Sequence, residues 1–425
     1  MEEYAMTGFR VREHRVEVPV DWSDPTRFGS IEVFAREVVD PQRAADDLPL
    51  LLFLQGGPGG MSPRPAPGGW LATALRTHRV VLLDQRGTGR SSRVDGTDVA
   101  ALGDAAGDHL ACFRADAVVA DAEHLRRTVY GGRRWTTLGQ SYGGFLTLTY
   151  LSRHPEALDA CWVTGGLPPV GATAEDVYAA TYPRQAARNR ALARAFPDDV
   201  DLLGRLADRV AAGDVVLPNR DVLTVERLQT LGMDLGMSTG ADGLHWLLDT
   251  ALDRRGEPAP GFLAQVAART GFDTNPLYLV LQEAIYHSGP REPGWAAATE
   301  HARHPAFAAA ARPLQLTGEA AYPWMFSQVS ALRPFAAAAE ALASRTSWPE
   351  LYDVDRLAAN EVPVAAVQYY DDPYVDLDLA LATDLGNSQV WVTNEFLHDG
   401  LRVAGDTILP RLADLTAGRW TVTSR

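Results

Sequence analysis

The chain has 425 residues, 46% hydrophobic and 22% charged, which suits a globular protein built as one large domain with an insertion or as two domains. Its formal net charge of −15 argues against a nucleic-acid binder, which carries a basic stripe, and against an anionic membrane surface. All 39 basic residues are arginine, so neither a Schiff-base lysine nor a lysine-bearing phosphate loop is available.

The opening "MEEYAMTGFRVREHRVEVPVDW" is charged throughout and lacks the apolar run of a secretory signal. No later stretch is apolar for long enough to span a bilayer, so a cytoplasmic protein is expected. "HRVEVPVDW" and "GSIEVFAREVV" alternate polar and apolar residues and predict half-buried strands around the turn-rich "SDPTRFGS". "LPLLLFLQ" and "RVVLLDQ" are continuous apolar runs ending in glycine-rich loops, as in strands buried on both faces of a sheet. "RADAVVADAEHLRRTVYG" has helical spacing and a terminal glycine. "RWTTLGQ" predicts a strand, "YGGFLTLTYLSRHP" the helix after it, and "LDACWVTGG" another strand. Strands alternating with helices predict an α/β fold with a mostly parallel sheet. From 170 to 351 the chain turns alanine- and arginine-rich and helical in period, before "VPVAAVQYY", the helix-like "VDLDLALATDLG" and "SQVWVTNEF" resume the earlier pattern. The organisation expected is a core from 1–169 and 352–425, interrupted by a helical cap insertion over 170–351. Cys112 and Cys161 have no metal-ligand spacing and are expected to be isolated thiols.

Within "TTLGQSYGGF", Gly139, Ser141 and Gly143 fit G-x-S-x-G between a predicted strand and a predicted helix. A nucleophile elbow needs that context: a tight turn, with glycines where side chains would clash. Enzymes with this elbow take their acid and then their histidine from later in the chain. His398 is the only histidine after "VPVAAVQYY", and it follows the last predicted strand. Asp371 and Asp372 both occupy the loop after "VPVAAVQYY"; counting forward from the strand favours Asp372 as the orienting acid, leaving Asp371 to cap the turn before Pro373. Oxyanion donors are backbone amides, here Tyr142 after the nucleophile and Gly57 in "LFLQGGPGG". Asp84, Arg86 and Arg90 of "DQRGTGRSS" read as ion pairs that organise a loop.

Taken together, "QGGPGG", "LLDQRGTGRSS", "GQSYGG", "YYDDPYVD" and "EFLHDGL" resemble the proline iminopeptidases (prolyl aminopeptidases) of the α/β-hydrolase superfamily. The similarity covers 50–169 and about 362–401 and extends more loosely into the insertion; Gln55 stands where many relatives carry histidine. The resemblance implies a serine exopeptidase on an α/β-hydrolase core with a helical cap, needing no metal or cofactor, whose substrate is a peptide or amide with a free N-terminal proline. It also implies cap glutamates that pair with the substrate's charged amine. Glu283 in "LYLVLQEAIYHSG" and Glu319 in "LTGEAAYPWMF" are the two candidates, each a carboxylate in an apolar or aromatic stretch, with Tyr322, Trp324 and Phe326 as candidates for lining a proline-sized pocket. An aminopeptidase of other N-terminal specificity and a small-molecule esterase or amidase are the alternatives on the same scaffold.

Overall fold

The computed structural model describes residues 2–422. One sheet holds β1 (Glu3–Met6), β2 (Phe9–Pro19), β3 (Ser30–Val39), β4 (Leu50–Leu54), β5 (Arg79–Asp84), β6 (Trp135–Gln140), β7 (Leu158–Thr164), β8 (Val364–Tyr369) and β9 (Ser388–Thr393). Across the sheet they run β1-β2-β3-β5-β4-β6-β7-β8-β9. β1, β2 and β3 join the edge antiparallel, and the pairings from β5 to β9 are parallel. The fold is α/β with a mostly parallel sheet. β1 was not legible in the sequence pattern because all four of its residues are exposed and none alternates inward.

The continuous apolar runs are explained by the two sheet faces. Leu50, Leu52 and Leu54 of β4, with Val81 and Leu83 of β5, pack under the helices Ala115–Val129 and Tyr142–Arg153. Their neighbours Leu51, Phe53, Val80 and Leu82 point the other way, against Trp70, Leu71 and the helix Gly400–Thr416. A strand covered on both faces has no polar side to present, so its alternation disappears from the sequence.

Between β7 and β8 the regular structure is almost wholly helical, with long turns between the helices. It starts with the 22-residue helix Ala174–Ala195, whose N-terminus is closed by a capping box between Thr173 and Asp176. The only strands in this segment among the described residues are Gly289–Pro290 and Ser347–Trp348, which pair with each other and not with the main sheet. Part of the segment has its own core, including Leu206, Leu228, Leu248 and Phe262. A second cluster joins Tyr178, Leu277 and Phe335 to Leu110 and Phe113 from before β6, so the helical segment is seated on the sheet portion through apolar contact. No helix among the described residues is long and apolar enough to cross a membrane.

Candidate active site

The turn from β6 into the helix Tyr142–Arg153 places Ser141 at φ 56° and ψ −126°, a conformation that L-residues seldom adopt. The neighbouring glycines are required by space. A Cβ on Gly139 would stand 2.2 Å from the Gly143 carbonyl oxygen, and one on Gly143 would stand 1.9 Å from that of Leu54. The elbow is therefore pressed against the end of β4. Gly57, at φ 136°, lies in the loop that leaves the same strand. Neither the Gly57 amide nor the Tyr142 amide donates a hydrogen bond within the protein among the described residues, leaving both free for a ligand.

Ser141 Oγ lies 2.8 Å from His398 Nε2, and His398 Nδ1 lies 2.7 Å from Asp372 Oδ2. An ionised carboxylate only accepts, so Nδ1 carries the proton and the Nε2 lone pair faces the serine hydroxyl. Asp372 is buried, and its other oxygen accepts from the amides of Tyr374 at 2.8 Å and Val375 at 3.3 Å. The expected division of labour is thus corrected: Asp372 both caps its own turn and holds the histidine, while Asp371 is exposed. The Tyr374 ring stands edge-on to His398 at 4.8 Å. Burial alone would lower the His398 imidazole's affinity for a proton. The charge and hydrogen bond of Asp372, helped by Glu319, outweigh it and hold the pKa above the ordinary value.

The histidine loop is fastened to the helical segment. The His398 amide donates to the Gly236 carbonyl at 3.0 Å. Asp399 accepts from the Ser238 amide at 2.9 Å and its hydroxyl at 2.6 Å, and the Leu397 amide reaches Ser238 Oγ at 3.2 Å.

Ser141, His398 and Gly57 open into a cavity of about 270 Å³, walled on the far side by Asp234, Tyr278 and Glu319 of the helical segment. Glu319 accepts a hydrogen bond from the Tyr278 hydroxyl. Burial pushes its carboxyl up, with the nearby His398 and the Tyr278 and Gln282 hydrogen bonds opposing the shift. No such position is found for Glu283. Its two oxygens accept from the amides of Ala296 at 3.0 Å and Ala297 at 2.9 Å, capping the helix Ala296–Arg303 away from the serine. The aromatic candidates also lie elsewhere: Tyr322 hydrogen-bonds Tyr182 at 2.6 Å, and Phe326 and Trp324 pack in the apolar cluster of the helical segment.

Residues 49–256 match the family described as the alpha/beta hydrolase fold. The chain is 44% identical over 418 residues to a proline iminopeptidase of Aeromonas sobria, spanning 97% of this chain and 98% of that one. It is 33% identical to the proline iminopeptidase aneH of Aspergillus aculeatus, over 96% of this chain and 94% of the other. The chain belongs to the proline iminopeptidase family of α/β-hydrolases. A solved proline iminopeptidase of Mycobacterium smegmatis aligns with 96% of this chain and 100% of its own, at 17% identity and a TM-score of 0.44.

In this member of the family the "DQRGTGRSS" segment is structural. Arg86 is fully buried and donates to Asp121 at 2.7 Å and to the carbonyls of Val20 and Cys112 at 2.6 and 2.7 Å. Asp84 accepts from the amides of Ser62 at 3.1 Å and Arg90 at 2.9 Å. Both tie the loop after β5 together and neither touches the cavity. Cys112 and Cys161 are free thiols, pushed up to about 11 and about 12 by burial. Sequence reasoning missed Asp234, Tyr278 and Arg402 in the cavity wall. For Arg402 a signal existed, since it follows His398 by only four residues.

Proposed function

We propose that the chain is a prolyl aminopeptidase in which Ser141, His398 and Asp372 form the catalytic triad and residues 170–351 act as a helical cap. The observation that carries this reading is the unbroken relay from Asp372 through His398 to Ser141, opening into a cavity whose far wall presents Glu319. Ser141 Oγ attacks the prolyl carbonyl as its proton passes to His398 Nε2. The oxyanion is received by the Gly57 and Tyr142 amides, each contributing about 3–4 kcal/mol on the usual scale for such donors. His398 then gives the proton to the departing amine, and water, activated by the same nitrogen, releases proline from Ser141. Asp372 keeps the tautomer and stabilises the imidazolium.

Glu319 supplies the requirement for a free N-terminus. A charged secondary amine enters a confined site only with an anionic partner, and an N-acylated proline has no charge to offer one. Because burial disfavours the lone carboxylate, the arrival of a cation lets it ionise at less expense. The two free thiols fit a cytoplasmic setting. The test compares a prolyl chromogenic amide with its N-acetyl derivative and with the alanyl analogue. The free prolyl amide should be the best substrate and the acetylated one should fail; equal cleavage of both sinks the aminopeptidase reading.

A further inference from the structure

The charges in the cavity wall are unequal in their partners. Asp234 and Arg269 pair with each other, and Glu319 is engaged by the Tyr278 hydroxyl. Arg402 is different. It lines the same cavity, is exposed, and has no ion-pair partner among the described residues. It sits in the first turn of the helix Gly400–Thr416, four residues after His398, close enough for its charge to act on the imidazole. The cavity thus has an anionic, half-buried wall on the helical segment and a free guanidinium at its exposed side.

The acyl and leaving portions of a substrate must sort themselves against these charges. With the prolyl amine at Glu319, the leaving group extends toward solvent. In a free dipeptide the leaving residue carries a carboxylate on the carbon next to the departing nitrogen, so both ends of the zwitterion meet an opposite charge. Guanidinium is suited to that anion, since its planar fork donates two parallel bonds to one carboxylate. We infer that Arg402 is a specificity-determining residue that binds the free carboxylate of a dipeptide's leaving residue, tuning this enzyme to Pro-X dipeptides. The inference rests on the prolyl aminopeptidase reading above. Longer peptides, whose carboxylate lies further out, gain less from the same contact.

The experiment measures kcat/KM for Pro-Ala and for Pro-Ala amide with the wild-type chain, Arg402→Gln and Arg402→Lys. Taking the ratio of acid to amide within each protein cancels any change in His398. An exposed pair predicts a modest preference, about twofold to fivefold for the acid at low ionic strength. That ratio should fall toward one in Arg402→Gln, persist in part in Arg402→Lys, and weaken in the wild type as salt is raised. A wild-type ratio near one, or a ratio retained in Arg402→Gln, overturns the role of Arg402 while leaving the aminopeptidase reading intact. Cleavage of neither compound by the wild type overturns both. The side chain is exposed, so the variants are expected to keep the wild-type melting temperature.

Discussion

At the level of single residues, the two adjacent aspartates make a sharp comparison. Asp371→Asn alters an exposed side chain, whereas Asp372→Asn removes the acceptor that fixes the histidine tautomer. The second change should lower kcat by about 10³–10⁴-fold and the first by no more than a few-fold, both read from steady-state hydrolysis of a prolyl amide. Glu319 offers two separable readouts. Glu319→Gln should cost about 2–4 kcal/mol in kcat/KM for a prolyl amide, the scale for breaking a buried charge pair, and little for a small neutral ester. The second readout is the acid limb of the ester reaction. The base must be neutral to accept the serine's proton, and Asp372 and Glu319 both raise its pKa while Arg402 lowers it. In the wild type the limb therefore lies above the ordinary imidazole value, with activity lost as pH falls through it. Removing the Glu319 charge should move the limb to lower pH; an unmoved limb would show that the carboxylate does not act on His398.

The elements show why some of this could be read from the sequence and some could not. Ser141, His398 and Asp372 each follow the end of a parallel strand, β6, β9 and β8, so chain order and glycine spacing sufficed to find them. Glu283 was indistinguishable from Glu319 because the direction of a side chain depends on what its segment packs against. Tyr278 and Gln282, four residues apart, share the face that reaches Glu319, and Glu283 is rotated from Gln282 by roughly 100° onto the helix Ala296–Arg303. Nothing local announces that rotation. The contacts between the histidine loop and Gly236 and Ser238 were equally hidden, since they join segments about 160 residues apart in sequence. Ser238→Ala removes the hydroxyl shared by Asp399 and the Leu397 amide. The expected outcome is a threefold to tenfold fall in kcat, the scale of one net hydrogen bond, for ester and amide alike with KM nearly unchanged. A fall confined to KM would mean that the loop keeps its place without Ser238.

For the molecule as a whole, Glu283 becomes a question of stability and no longer one of recognition. Burial pushes its carboxyl up to about 7, with the Ala297 and Ala296 amides opposing the shift. A carboxyl whose folded pKa exceeds its unfolded value binds more protons when folded, so stability is lost as pH rises from the ordinary value of 4.5 toward 7. The whole shift corresponds to about 3 kcal/mol. Urea denaturation of the wild type and Glu283→Gln at pH 5 and pH 8 should show a steeper loss in the wild type. Parallel losses would remove Glu283 from the pH dependence.

The hydrogen bonds between the histidine loop and Gly236 and Ser238 also define what can be exchanged between relatives. A chimaera that imports a foreign cap over 170–351 onto this core would change the substrate wall and, in the same stroke, discard the acceptor for the His398 amide and the hydroxyl that supports Leu397 and Asp399. Specificity and chemistry are therefore not independent modules in this chain. Grafts that keep residues 236–238 with 397–399 as one inherited unit should retain turnover, and recombination that cuts between them should give well-folded proteins with lowered turnover.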